Sequence, residues 1–170
     1  MANPMLVKVE GNVLTLQRVF DAPRELVFKA FTQAEHLKHW WGPRGWEITV
    51  CEVDFRPGGK WHYCFKCMDK DQGDFYGMES WGLAVYGDID EPDTYEYTDY
   101  FSDAEGTLNE AMPAAKSTMR FKDHGDGKTK LVCHATYESE DALQQVIAMG
   151  MEQGIKETWD RLGEHLASLQ

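Results

Sequence analysis

Residues 139–169, SEDALQQVIAMGMEQGIKETWDRLGEHLASL, carry the reading that decides the fold. Leu143, Val146, Ile147, Met151, Ile155, Thr158, Leu162, Leu166 and Leu169 recur at helical spacing and form one apolar stripe. Ser139 is a suitable cap, and Glu140 and Asp141 suit the positive end of a helix. The expectation is a single helix to about Leu169. At roughly 30 residues it would be ~45 Å long, enough to cross a whole sheet.

Upstream of that stretch the period changes from helical to two. Lys60 to Lys66 alternates, with Trp61, Tyr63 and Phe65 on one face and Lys60, His62, Cys64 and Lys66 on the other. That pattern belongs to a strand with one buried and one wet face. Further strands are read at Asn12–Phe20, Trp46–Phe55, Phe75–Ile89, Tyr95–Phe101, Lys116–Lys122 and Lys128–Tyr137. The long strand carries Gly82 and Gly87, either of which suits a bulge. Arg56-Pro57-Gly58-Gly59, Met68–Gly73 and His124-Gly125-Asp126-Gly127 read as turns, and Ser102–Ala115 as a long loop.

Between the first and second strands lie two short helices. Asp21 is placed to cap the first and Pro23 suits its first turn, ahead of Leu26, Val27, Ala30 and Phe31. The second, about Ala34 to Trp40, stops at Trp41-Gly42-Pro43. Hairpin-linked strands followed by a helix give an α+β class, not a parallel α/β fold. The architecture expected is a curved antiparallel β-sheet with two short helices and a long C-terminal helix across it. No repeat or linker divides residues 1–170, so one domain is expected, with its core from about 12 to 169.

Composition narrows the function classes. The 42% hydrophobic fraction, with 6 Trp, 7 Tyr and 8 Phe, excludes a disordered chain. Seventeen Lys and Arg against 29 Asp and Glu leave a net charge of −12, which opposes nucleic-acid phosphates and anionic lipid surfaces. No apolar run approaches the ~20 residues of a membrane span. Met1 to Asn12 has no secretory pattern, so a cytoplasmic location is expected.

Ala148, Gly150 and Gly154 make the middle of the C-terminal helix small. Each Gly costs about 1 kcal/mol against Ala inside a helix. Two readings explain the cost: close packing on bulky sheet residues, or room for a ligand beside the helix. Both can hold together. The sheet supplies Trp61, Tyr63, Phe65, Met78, Trp81, Tyr97 and Met119, and the helix adds Gly150, Met151, Gly154 and Thr158. Trp41 is placed to rim an opening. Aromatic residues and Met suit apolar ligand sites, and cores as well.

No nucleophile elbow, zinc-protease motif, phosphate loop or dinucleotide fingerprint occurs, so no catalytic residue, metal or cofactor is assigned. Cys64 and Cys67 have redox spacing, but on a strand residues three apart face opposite ways, so ordinary thiols are expected. Glu79, Asp99, His134 and Glu152 are the groups that would serve as acid or base if they entered a cavity.

Several short segments, in order, resemble one family. Val19-Phe20-Asp21-Ala22-Pro23-Arg24-Glu25-Leu26-Val27-Phe28, Trp40-Trp41-Gly42-Pro43 and Phe55-Arg56-Pro57-Gly58-Gly59 come first. Asp90-Glu91-Pro92, Tyr97-Thr98-Asp99, Met112-Pro113 and Met149-Gly150-Met151-Glu152-Gln153-Gly154 follow. Together they resemble the START-like (SRPBCC, helix-grip) superfamily, in its bacterial branch similar to the activator of heat-shock-protein ATPase. The resemblance implies a cavity between helix and sheet, and a small apolar or aromatic ligand within it. It implies two alternatives: a chaperone-binding or other protein-interaction module, or a cavity enzyme of cyclase or hydrolase type. Separately from the resemblance, sheet edges and the tandem Trp40-Trp41 can pair, so a homodimer is a further expectation. The motifs are largely structural and carry no catalytic residue with them.

Overall fold

The computed structural model describes residues 3–170. Eight antiparallel strands form one sheet: β1 (Leu6–Glu10), β2 (Val13–Phe20), β3 (Trp46–Val53), β4 (Lys60–Cys67), β5 (Glu79–Asp90), β6 (Thr94–Phe101), β7 (Ala115–Gly125) and β8 (Lys128–Tyr137). Their order across the sheet is β1-β2-β8-β7-β6-β5-β4-β3. β3 to β8 follow one another as neighbours, and β8 returns to lie beside β2. The helices α1 (Arg24–Thr32) and α2 (Ala34–Trp40) carry the chain from β2 to the far edge. This is the α+β helix-grip architecture expected.

Period two fixes which residues face inward. On β4, Trp61 and Tyr63 are buried, and their partners on β5 are Ala84 and Gly82. Following the register gives Phe101, Asp99 and Tyr97 on β6, Ala115 and Ser117 on β7, and Tyr137 and Ala135 on β8. The sheet bulges between Tyr86 and Ile89, at the Gly87 position. Helix α1 buries Val27, Phe28, Ala30 and Phe31, and the Phe28 ring meets Phe121 edge-on at 5.0 Å. Trp40 is wholly buried, and its indole N–H donates to the Ala30 carbonyl at 3.0 Å.

The C-terminal segment corrects the expectation of one continuous helix. It is two helices, α3 (Glu140–Ala148) and α4 (Met151–Ser168), separated at Met149 and Gly150. Gly150 has φ +87°, the left-handed conformation that ends helices and that Gly adopts without steric cost. Ser139 does cap α3, accepting from the Ala142 N–H. The apolar stripe hides the break because both helices bury one apolar face. Leu143 and Val146 do so from α3, and Trp159, Leu162 and Leu166 from α4.

Four smaller differences have local causes. β1 is an additional edge strand, turned into β2 at Gly11, and mostly exposed, which leaves little alternation to read. Pro23, not Asp21, occupies the N-cap of α1, without a side-chain cap. The turn after β4 contains a 3-10 segment, Lys70–Phe75, whose cap is Asp69. β5 therefore starts at Glu79 and not at Phe75.

Among the polar contacts that tie helix α4 to the rest of the molecule, two involve Arg18 and Arg161. Arg18, 4% exposed on β2, donates to the Asp160 carboxylate at 2.7 Å. Arg161 donates to the Gly42 carbonyl at 2.8 Å and to the Trp46 carbonyl at 3.2 Å. The second contact anchors α4 to the Trp41-Gly42-Pro43 turn.

Candidate ligand cavity

A cavity of about 390 Å³ lies between the inner sheet face and the α3–α4 junction. Tyr63 and Phe65 of β4 wall one side, and Tyr97 and Asp99 of β6 lie next to them. Met119 of β7 and Cys133 of β8 form the deeper floor. Gly150, Met151, Gly154 and Thr158 lie over it, and Trp41 closes the end held by Arg161. Thr158 donates its hydroxyl to the Gly154 carbonyl at 2.8 Å, so that donor is used within the helix.

The glycines of the roof separate the two readings of the sequence. A Cβ placed on Gly150 or Gly154 would meet no atom within 4 Å. Neither glycine is there to let the helix pack close. Gly154 leaves open space over the cavity, and Gly150 makes the turn between the helices.

Ten of the twelve residues expected to line a cavity border this one: Trp41, Tyr63, Phe65, Trp81, Tyr97, Met119, Gly150, Met151, Gly154 and Thr158. Trp81 has the outward parity, however, and its ring lies 5.2 Å from that of His62. Two do not line it. Trp61 stands behind the wall, buried, with its ring 4.8 Å from Trp41 and 4.6 Å from Tyr63. Met78 is 47% exposed, because it precedes β5 in the turn.

The lining also includes Leu14, Leu16, Phe101, Ser117, Cys133 and Tyr137, which sequence reasoning did not single out. Their signal was strand parity combined with register, and register is not visible until the pairing is known.

Of the four candidate acids and bases, Asp99 alone borders the cavity. Glu79 and Glu152 are exposed, and His134 is on the outward parity, beside the Arg120 guanidinium at 3.2 Å. Tyr63 donates its phenol proton to Asp99, 3.0 Å from Oδ1 and 3.2 Å from Oδ2. Burial pushes the Asp99 carboxyl up to about 7, against the opposing pull of the Tyr63 hydrogen bond. Burial, and then Asp99 itself, holds the Tyr63 phenol well above its ordinary value. Burial likewise pushes the Cys133 thiol and the Tyr137 phenol up to about 12 each. The cavity at neutral pH therefore contains neutral phenols, a neutral thiol and one carboxyl poised between its two forms.

No group of three or more His, Cys, Asp or Glu among the described residues is arranged to hold a metal ion. All four cysteines are free thiols. No helix among the described residues is long and apolar enough to cross a membrane.

A sheet gripping a broken C-terminal helix pair around an apolar cavity defines the helix-grip class. Within that class, residues 21–167 match the family described as activator of Hsp90 ATPase homolog 1-like protein, and the chain belongs to this family. Solved structures agree. A Staphylococcus epidermidis protein is 30% identical with a TM-score of 0.81, the match covering 98% of this chain and 96% of that one. A Mycobacterium smegmatis protein is 28% identical with a TM-score of 0.79, at the same two coverages of 98% and 96%. An Arthrobacter aurescens protein is 25% identical with a TM-score of 0.84, covering 96% and 91%. No curated protein matches the chain.

Proposed function

We propose that this chain binds a small apolar or aromatic molecule in the cavity between the α3–α4 junction and the sheet. The observation that carries this reading is the cavity of about 390 Å³ roofed by the bare face of Gly154. That volume lies within the roughly 300–1,000 Å³ range of small-molecule sites. Its lining is mainly apolar and aromatic with a few convergent polar groups, which is the composition such sites use. Native mass spectrometry of the protein purified from its own host tests it. The expected result is a non-covalent adduct that is lost in Gly154→Phe. A mass of bare protein, together with no chemical-shift change on titrating small aromatic molecules, would overturn it.

A second reading, a protein-interaction module resembling the family's named activator, is favoured by a different feature. Met68, Phe75, Tyr76 and Met78 are all about half exposed in one segment after β4. Trp40 plays no part, being wholly buried. If this reading holds, the chain changes the ATP turnover of a purified heat-shock chaperone, and Phe75→Ser with Tyr76→Ser removes the effect. A cavity enzyme of cyclase or hydrolase type ranks third, since its acid–base chemistry would rest on Asp99.

A further inference from the structure

Asp99 is an odd residue to find in this cavity. No Lys, Arg, His or second carboxylate lines the space with it. The charged form of Asp99 is stabilised by one neutral neighbour, Tyr63, and by no cation. Tyr63 has a single proton to give, while a carboxylate offers about four lone-pair positions. Most of the acceptor capacity of Asp99 is therefore unmet on the protein side, in surroundings where an unmet charge is costly. The remaining titratable groups that face it are Tyr86 from β5, Tyr97 from its own strand, and Tyr137 from β8. Each is held neutral by burial, and α3 and α4 contribute no charged side chain to the lining.

The second feature is the set of rings around the same space. Trp41, Tyr63, Phe65, Tyr97, Phe101 and Tyr137 all border it. Aromatic faces attract cations through their quadrupole, most strongly where water is excluded. A carboxylate without a counter-ion, enclosed by aromatic rings, is chemically complementary to a cation with an apolar body. The net charge of −12 acts in the same direction over longer range, concentrating cations near the molecule and repelling anions.

We propose that the cavity selects an apolar or aromatic molecule bearing a protonated basic nitrogen, with Asp99 as its anionic partner and the surrounding rings as its cage. This rests on the reading of the cavity as a small-molecule site, and it names the chemical class that the site takes. An ammonium N–H fills acceptor positions that Tyr63 leaves free, and its charge compensates the Asp99 carboxylate. An alcohol of the same shape supplies the hydrogen bond without the charge. A carboxylic acid of the same shape brings a second negative charge beside Asp99.

Calorimetric titration of the full chain near pH 7.5 with shape-matched probes tests this. Benzylamine, benzyl alcohol and benzoate form one set, and 2-naphthylmethylamine, 2-naphthylmethanol and 2-naphthoate form a second. The expected result is that the amine of a set binds ~10-fold or more tightly than the alcohol, as a charge-assisted hydrogen bond implies, with the acid weakest. Asp99→Asn brings the amine to the level of the alcohol and leaves the alcohol unchanged. The ranking in the parent protein stands without the variant if Asp99→Asn folds poorly. An alcohol that binds as tightly as its amine overturns the inference and leaves small-molecule binding intact. An amine preference that persists in a folded Asp99→Asn protein overturns the role of Asp99. Failure of all six probes to bind overturns the inference, and the small-molecule reading falls with it only when native mass spectrometry also shows bare protein.

Discussion

The Tyr63 side chain lies over the bare Cα of Gly82, its cross-strand partner, and so reaches Asp99 on the far side of β5. A Cβ on Gly82 would stand 2.3 Å from both Cζ and the hydroxyl oxygen of Tyr63. The polar centre of the cavity thus depends on the absence of a side chain on β5, the strand between Tyr63 and Asp99. A strand interior is ordinarily weakened by Gly, and close approach by a neighbour is a recognised reason for finding one there.

Gly82→Ala is therefore expected to displace the Tyr63 ring. That ring is hemmed in by Trp61 at 4.6 Å and Trp41 at 5.8 Å, so it cannot swing aside without moving them. Overpacking of this kind costs about 1–3 kcal/mol. Denaturant unfolding would read the loss. An unchanged midpoint would mean that the ring yields freely and that Gly82 is not what seats it.

Asp99 makes stability pH-dependent in a direction opposite to most carboxylates. Its folded value of about 7 exceeds the ordinary 3.8, so the folded protein holds this proton through a range in which the unfolded chain has lost it. Stability from this group is complete below about pH 4 and falls as pH rises towards 7. The full shift corresponds to at most about 4 kcal/mol, reduced by whatever solvent reaches the cavity. Asp99→Asn keeps an acceptor for Tyr63 and removes the titration. The variant is expected to be more stable than the parent at pH 8 and equal to it near pH 4. Urea midpoints of both proteins at the two pH values check this, since every other carboxylate contributes equally and cancels.

The parts of this molecule that could be read in advance are those governed by short-range periodicity. Trp61, Tyr63 and Phe65 share a face because residues two apart on a strand must. The same rule carries Asp99 inward with Tyr95 and Tyr97, which is how a carboxylate arrives among rings. What periodicity does not encode is depth. Trp61 and Tyr63 have the same parity, yet Tyr63 lines the cavity and Trp61 stands behind it. The helix break was hidden for an energetic reason: a Gly in a helix interior costs only about 1 kcal/mol, so Gly150 is compatible with either state. Gly154, four residues on, is in fact helical.

Arg18 and Asp160 form the ion pair that fastens α4 to β2. Arg18 is almost wholly buried, with its guanidinium also 5.4 Å from the Phe20 ring centre, while Asp160 keeps some contact with water. Burial works against the charge of Asp160, but the hydrogen bonds from Arg18 and Lys156 outweigh it and hold the carboxyl below its ordinary value. Asp160→Asn would leave the Arg18 charge without its partner. Removing one member of a buried pair costs about 3–5 kcal/mol, and the partial exposure of Asp160 puts the expected loss at the lower end. Thermal unfolding at neutral pH measures it. A loss below about 0.5 kcal/mol would place this pair with ordinary surface bridges.

Gly150 and Gly154 provide the sharpest test of the broken helix. Were residues 139–169 one continuous helix, Ala at either position would stabilise the protein, by about 1 kcal/mol each. The two positions differ in backbone. Gly154 lies inside α4 with open space where a Cβ would go, so Gly154→Ala retains the expected gain. Gly150 has φ +87° and equally open space, so Gly150→Ala meets no neighbour but strains its own backbone. A side chain forced into that conformation costs about 1–2 kcal/mol. The prediction is a pair of opposite signs from the same substitution four residues apart: Gly154→Ala raises the unfolding midpoint and Gly150→Ala lowers it. Two gains would restore the continuous helix. They would also remove the turn over the cavity, because Gly150 would then be an ordinary roof residue and not the point where α3 gives way to α4.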